Sequence, residues 1–153
     1  YQETVCGETR SRSACRSLSR RATHYPAELT DEEWATVRAL YDAECRYVDD
    51  QFAALLDGLA QRDCRTETTV VFTADHGELF DEHGQGGHPP EFWESTIRVP
   101  LAVESAAGVS IPAGSYDDQV RLLDVAPTLT DALLTKADRA AQLLDRSGGA
   151  TGV

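Results

Sequence analysis

Apolar and polar positions alternate along this chain with two different periods. Thr30 is followed by Asp31, Glu32 and Glu33, a capping box with Glu33 at the third helical position. From there Trp34, Val37, Tyr41, Cys45, Val48, Phe52, Leu55, Leu56 and Leu59 recur at steps of three and four. That spacing predicts one amphipathic helix over 31–61 whose apolar stripe is core. The run T-T-V-V-F-T-A at 68–74 is β-branched and aromatic without clean alternation, as in a strand buried on both faces of a parallel sheet. Six glycines and prolines between 77 and 90 predict a loop, and 91–95 one helical turn. Further strands are expected at 99–103 and 119–123, the latter running into Asp124 as a helix N-cap with Pro127 in the first turn. Leu129, Leu133 and Leu134 give that last helix an apolar side, 136–146 continues as a charged helix, and 148–153 frays. No internal repeat is visible.

Composition changes the picture at the chain's start. Residues 1–25 carry Arg10, Arg12, Arg16, Arg20 and Arg21 against Glu3 and Glu8, a balance of +3, which leaves −15 of the net −12 for the remainder. With serines interleaved and few large apolar residues, 1–27 is expected to be disordered. A length of 153 residues suits one domain. The acidic excess is spread along the chain, which argues against a nucleic-acid partner. Lys136 is the single lysine, a balance that resembles proteins of salt-loving organisms. Cys6, Cys15, Cys45 and Cys64 imply neither a zinc site nor a disulfide scaffold. No apolar run reaches the roughly 20 residues that cross a bilayer, and no signal peptide is visible. The cytoplasm is the favoured compartment, and the start at Tyr1 without any methionine suggests a fragment.

The chemistry concentrates after the strand at 68–74. Asp75 and His76 stand at its C-terminal end, where open α/β sheets place ligand-binding groups. Carboxylate and imidazole are both metal ligands, and Gly77 lets the backbone turn sharply after them. Three of the four histidines, His76, His83 and His88, fall within thirteen residues. The alternative is a turn capped by Asp75, with His76 packed on the sheet. Asp81 and Glu82 read as a solvated loop. Glu94 and Arg98 are spaced to pair across one helical turn.

The segments T-V-V-F-T-A-D-H-G-E, D-E-H-G and G-H-P-P-E-F-W-E-S-T-I-R-V-P-L look like the C-terminal half of the sulfatase family. Y-D-A-E-C-R-Y-V-D-D-Q at 41–51 and L-L-D-V-A-P-T-L at 122–129 resemble its flanking helices, so the likeness covers 28–134. It implies an α/β fold, a partial alkaline-phosphatase-like sandwich with a mainly parallel sheet flanked by helices. It also implies a divalent cation, usually Ca2+, and a formylglycine nucleophile made within C-x-P-x-R. Asp75 and His76 match the family's metal pair, with Asp75 beside the nucleophile. His88 falls where a sulfate contact or general acid is expected. The nucleophile and further metal carboxylates belong to the family's N-terminal half. Cys6 to Arg10 has Glu8 where proline is expected, and Cys15 to Arg20 is one residue too long. The expected function is therefore a sulfuric ester hydrolase whose complete parent acts on sulfate esters, with this portion alone inactive. The alternatives are phosphoester hydrolysis or transfer within the same superfamily, or a non-catalytic module that keeps the fold. The segment 135–153 is expected to be a helical or disordered tail.

Overall fold

The computed structural model describes residues 11–109, 111, 113–132, 134 and 135. The chain divides into two compact units. One is built from the chain up to Arg65 with Phe72–Ala102, the other from Thr66–Val71 with the chain from Val103 onward.

In the first unit, helix α1 spans Arg12–His24 and α2 spans Asp31–Ala60. α1 is capped by Ser11, whose hydroxyl accepts from the Ala14 N–H at 3.3 Å. Cys15, Leu18 and Ala22 form a buried stripe along it, while Arg12, Arg16 and Arg20 stay exposed. For residues 12–24 this corrects the expectation of a disordered segment. Three apolar side chains at helical spacing are enough, because α2 supplies their partners. Cys15 packs with Leu40, and Leu18 and Ala22 with Trp34 and Val37. Cys15 is also disulfide-bonded, a constraint that cysteine spacing did not suggest.

The start of α2 is built as its sequence predicts. The Glu33 N–H donates to the Thr30 hydroxyl at 3.2 Å, and the Thr30 N–H donates back to Glu33 Oε2 at 3.0 Å. Leu29, just before the cap, packs into the same cluster as Trp34, so the entering chain is pinned by an apolar staple. Glu33 Oε1 meanwhile accepts from Arg21 Nη1 at 2.7 Å, and Arg21 Nη2 donates to the Glu28 carbonyl at 3.2 Å. One carboxylate thus closes the cap of α2 and ties down the end of α1. The Thr30 backbone donor and then the Arg21 guanidinium hold its pKa below the usual glutamate range.

Only the first half of the predicted α2 stripe is core. Trp34, Val37, Leu40 and Ala43 are buried, whereas Tyr41, Val48 and Leu55 are 43%, 50% and 58% exposed. α1 and the hairpin described below lie against that first half. Further along, Phe52 meets Phe72 with ring centroids 5.1 Å apart.

Strand β1 is Val70–Thr73, shorter and less buried than expected for a strand covered on both faces. The segment 77–90 is more ordered than a loop. β2 (Leu79–Phe80) and β3 (Gly86–Gly87) pair antiparallel, Leu79 opposite Gly87 and Phe80 opposite Gly86. Leu79 is 1% exposed. The hairpin lies close against the helices because β3 has no side chains. A Cβ on Gly86 would stand 2.2 Å from the Ala22 carbonyl oxygen and 2.6 Å from the Trp34 ring. Phe80 packs edge-on against Tyr41 at 4.9 Å, and its carbonyl accepts from Arg38.

Helix α3 spans Glu94–Ile97, and β4 spans Leu101–Glu104, exposed along its length. β1 and β4 are neighbours in a second two-stranded sheet. Among the described residues no larger sheet forms, and the third strand expected at 119–123 is absent. There Leu122–Asp124 makes a 3-10 turn. The Asp124 carboxylate reaches back to the Arg121 N–H, Nε and Nη2 at 3.1, 3.2 and 2.9 Å instead of capping forward. Helix follows at 125–132 as expected. In the second unit the Ala106 N–H donates to Thr69 Oγ1 at 3.0 Å, and Ala107 N–H to the Thr66 carbonyl at 2.6 Å. The charged helix expected at 136–146 and the frayed end expected at 148–153 lie outside the described residues. No described helix is long and apolar enough to cross a membrane.

Two outcomes follow from these contacts. Gly86→Ala should lower the unfolding free energy by about 1 to 3 kcal/mol, since backbone and a packed ring must both give way. Chemical denaturation checks this, and an unchanged midpoint would contradict the close approach. Glu33, with its depressed pKa, should add stability that is present above the unfolded glutamate pKa of about 4.3 and is lost as pH falls through the lower folded value. The Tm difference between the parent and Glu33→Gln should then be full near neutrality and shrink in acid. A difference independent of pH would show that the charge carries nothing.

Candidate metal centre

The site grows from the end of β1. Thr73 Oγ1 donates to the Pro100 carbonyl at 2.8 Å, which fixes where the strand stops. Asp75 and His76 follow, and Asp75 Oδ1 accepts the His76 N–H at 3.0 Å. The next residue must be glycine for lack of space. A Cβ on Gly77 would lie 2.0 Å from the Ser95 carbonyl oxygen, while the Gly77 N–H donates to the Thr96 carbonyl at 2.8 Å. Thr96 is itself buried, its hydroxyl placed to donate to the Trp93 and Glu91 carbonyls at 2.9 and 3.2 Å. The strand end is therefore docked on α3 through backbone groups. Across α3, Arg98 and Glu94 pair at 3.6 Å as their spacing predicts, both well exposed, so the pair adds little stability.

Glu78 precedes β2 and His88 follows β3, so the antiparallel register that sets Leu79 opposite Gly87 carries Glu78 and His88 to facing positions. His88 Nδ1 stands 3.5 Å from Glu78 Oε2. His76 stacks on His88 with ring centroids 4.4 Å apart and planes at 29°. One donor atom from each of His76, Glu78 and His88 falls within a 4.8 Å group. Asp75 stands beside this trio but outside it, with Oδ2 3.7 Å from His76 Nε2 and its side chain 89% exposed. Glu78 is 28% exposed, the most enclosed of the four acid and imidazole groups.

Of the residues singled out from the sequence, His76 and His88 are brought together and Asp75 lies alongside. His83 goes elsewhere. It adopts φ 60° and stacks on Trp93 at 3.6 Å with a 14° interplanar angle. Glu78 as a potential ligand was missed; recognising 77–90 as a hairpin would have set it opposite His88.

Two carboxylates and two imidazoles around one glycine are a donor set that fits a divalent cation. Calcium takes six to eight oxygens, so these side chains would fill only part of its shell. His76 Nδ1 lies 2.9 Å from the Gly77 carbonyl, and an Nδ1–H donated there leaves the lone pair on Nε2. Cys15, one of the two cysteines weighed as a nucleophile, is disulfide-bonded and offers no thiol. Cys6 lies outside the described residues.

The sequence model of the family described as Sulfatase matches residues 5–135. The chain is 33% identical over 104 residues to a choline-sulfatase of Rhizobium meliloti (strain 1021), covering 68% of this chain and 20% of that protein. It is 34% identical over 104 residues to arylsulfatase K of Homo sapiens, covering 67% and 19%, and 34% identical over 108 residues to arylsulfatase K of Danio rerio, covering 67% and 19%. The chain thus spans about a fifth of the length of the curated relatives it matches. No solved structure matches it significantly. With residues 5–135 matched by the family's sequence model and relatives 33% and 34% identical over about two thirds of its length, the chain belongs to the sulfatase family.

Proposed function

We propose that this chain is the metal-binding portion of a sulfuric ester hydrolase, with Asp75 and His76 as ligands of a divalent cation, Ca2+, and His88 as the residue that contacts the sulfate or protonates the leaving group. The observation that carries the reading is the convergence of His88 onto His76, ring centroids 4.4 Å apart, at the strand end that also carries Asp75. Two residues twelve positions apart share one surface, one suited to hold the cation and the other to meet what the cation binds.

The cation would polarise the ester oxygens and offset the negative charge that builds up on them. The chain's own residues do the rest. Asp75 supplies a hard oxygen donor, and its hydrogen bond to the His76 N–H holds the two side chains in a fixed relation. Gly77, locked by Thr96, keeps that pair from shifting. His88 is exposed enough to exchange protons with solvent, and an imidazole is a competent proton donor to a leaving oxygen. Glu78 Oε2, 3.5 Å from His88 Nδ1, faces the ring from the opposite strand.

The same donor count limits what the chain does by itself. Asp75 and His76 fill two positions of a cation shell, and the sequence C-x-P-x-R does not occur in the chain. The whole protein's activity on sulfate esters therefore depends on residues beyond those described here.

In the longer protein, aryl sulfate hydrolysis should need added divalent cation. Asp75→Asn should lower kcat at least about a hundredfold, and His88→Ala by about 10² to 10⁴, as for loss of a general acid. Steady-state kinetics on matched sulfate and phosphate esters checks both points. Full sulfate turnover by Asp75→Asn, or a preference for the phosphate ester, would refute the reading.

A further inference from the structure

We propose that the exposed arginines of α1, Arg16 and Arg20, form an anion-binding surface for the outlying charges of a sulfated oligosaccharide whose reacting ester lies at His88. The inference rests on the ester-hydrolase reading and adds to it the class of ester, a chain of sugar units that carries several sulfates.

The distribution of charge points first. α1 carries Arg12, Arg16, Arg20 and Arg21 and no acid, a balance of +4, which leaves −16 of the net −12 for the remainder. Arg21 is committed to Glu33 and to the Glu28 carbonyl. Arg16 and Arg20 are exposed, and among the described residues their side chains make no ion pair or hydrogen bond. In a chain with 26 acids against 14 arginines and lysines, two adjacent guanidinium groups without a carboxylate run against the composition. Each is a planar fork of donors, suited to the oxygen pairs of an oxyanion.

Position points the same way. Arg12, Arg16, Ser19 and Thr23 recur at steps of four, three and four, so they line one face of α1, with Arg20 flanking it one turn beyond Arg16. That face ends on the hairpin. A Cβ on Gly87 would stand 3.0 Å from Thr23 Cγ2 and 3.2 Å from its Oγ1, and the residue after Gly87 is His88. Ser19 and Thr23 also line one cavity together with Glu78, Leu79 and Gly87. The arginines therefore lead away from the site in order, Arg20 within one turn of Thr23 and Arg16 about 6 Å farther along the axis. A sulfate held at His88 leaves the next charged units of an oligosaccharide over Thr23 and then over the two guanidinium groups. A small aryl sulfate has no group that reaches them.

The shape of the surface favours a single flexible anionic chain. A nucleic-acid duplex or a bilayer presents a broad negative face, which the chain's many exposed carboxylates, Asp42, Asp49 and Asp50 on α2 among them, would repel. An oligosaccharide can lie along one helix face and avoid them.

The experiment is isothermal titration of the 153-residue chain with per-O-sulfated maltohexaose, with plain maltohexaose and a short DNA duplex as comparisons and far-UV circular dichroism on each variant. The sulfated sugar should bind and the plain one should not, and binding should weaken as salt approaches 0.15 M, where charges are screened within about 8 Å. R16Q/R20Q should bind the sulfated sugar about tenfold more weakly, the loss of two exposed charge pairs. Glutamine keeps the helix-forming character of arginine, so the fold should be unchanged. Arg98→Gln, equally exposed but on α3, should stay within about twofold, as a charge outside the surface. In the longer protein, R16Q/R20Q should raise KM for sulfate release from the sulfated sugar about tenfold and leave kcat and KM for a small aryl sulfate unchanged. Unchanged affinity in R16Q/R20Q, equal binding of plain maltohexaose, or tighter binding of the duplex would overturn the proposal and leave the ester-hydrolase reading standing. Absence of sulfate release from either ester by the longer protein would sink that reading, and the substrate assignment with it.

Discussion

The first unit depends on a contact made possible by a missing atom. Gly86 runs so close to the Ala22 carbonyl and the Trp34 ring that a methyl group would overlap both. That approach binds three pieces of chain distant in sequence: the end of α1, the first turns of α2 and the second strand of the hairpin. Trp34, 2% exposed, is shared by all three, with Leu18, Ala22 and Val37 around it and Leu29 and Phe80 at its margin. A hairpin of two-residue strands has no stability of its own. It exists because Leu79 is buried against the helices and Gly86 lets the backbone come in.

From this packing the geometry of the site follows. Pairing Leu79 with Gly87 commits Glu78 to face His88, and a slip of one residue would send the two to opposite faces. The tie between Glu33 and Arg21 acts at the other end of the same cluster, closing the α2 cap and holding α1 in place with one carboxylate. In a chain with net charge −12, an arginine spent on such a tie serves better than one on an open face. Arg98 and Glu94, both largely exposed, show the contrast, since solvent screens their attraction.

What was legible in the sequence was what neighbours along the chain decide. The capping box, the helix from Asp31, the β1 core and the Glu94–Arg98 pair all depend on spacings of four residues or fewer, and each is present. The position of Asp75 and His76 at a strand end was legible for the same reason, as adjacent residues ending an apolar run. The rest depended on partners. α1 hid behind its arginines and serines because Cys15, Leu18 and Ala22 acquire value only against α2. The hairpin hid behind glycines that signal loops locally and close packing globally. At 119–123 the apolar run Val120, Leu122, Leu123 suggested a strand, but these side chains are exposed with no sheet to join among the described residues, and Leu122–Asp124 forms a 3-10 turn instead. The approach of Glu78 to His88 was not legible, since only the hairpin's register reveals what it faces.

The hairpin's turn carries the remaining step. Asp81 and His83 both occupy the left-handed region, at φ 80° and 60°, where residues other than glycine rarely sit. Each such residue costs of order 1 kcal/mol or more and persists only when its surroundings determine it. The surroundings here are specific: the Asp81 N–H donates to the Gln85 carbonyl at 2.9 Å, the Glu82 carboxylate accepts from the Phe80 N–H, and His83 stacks on Trp93. A relaxed turn would change the loop's length in register and part Glu78 from His88. The chain accepts local strain between 81 and 83, and what that strain maintains is the meeting of His76, Glu78 and His88 at the other end of the hairpin.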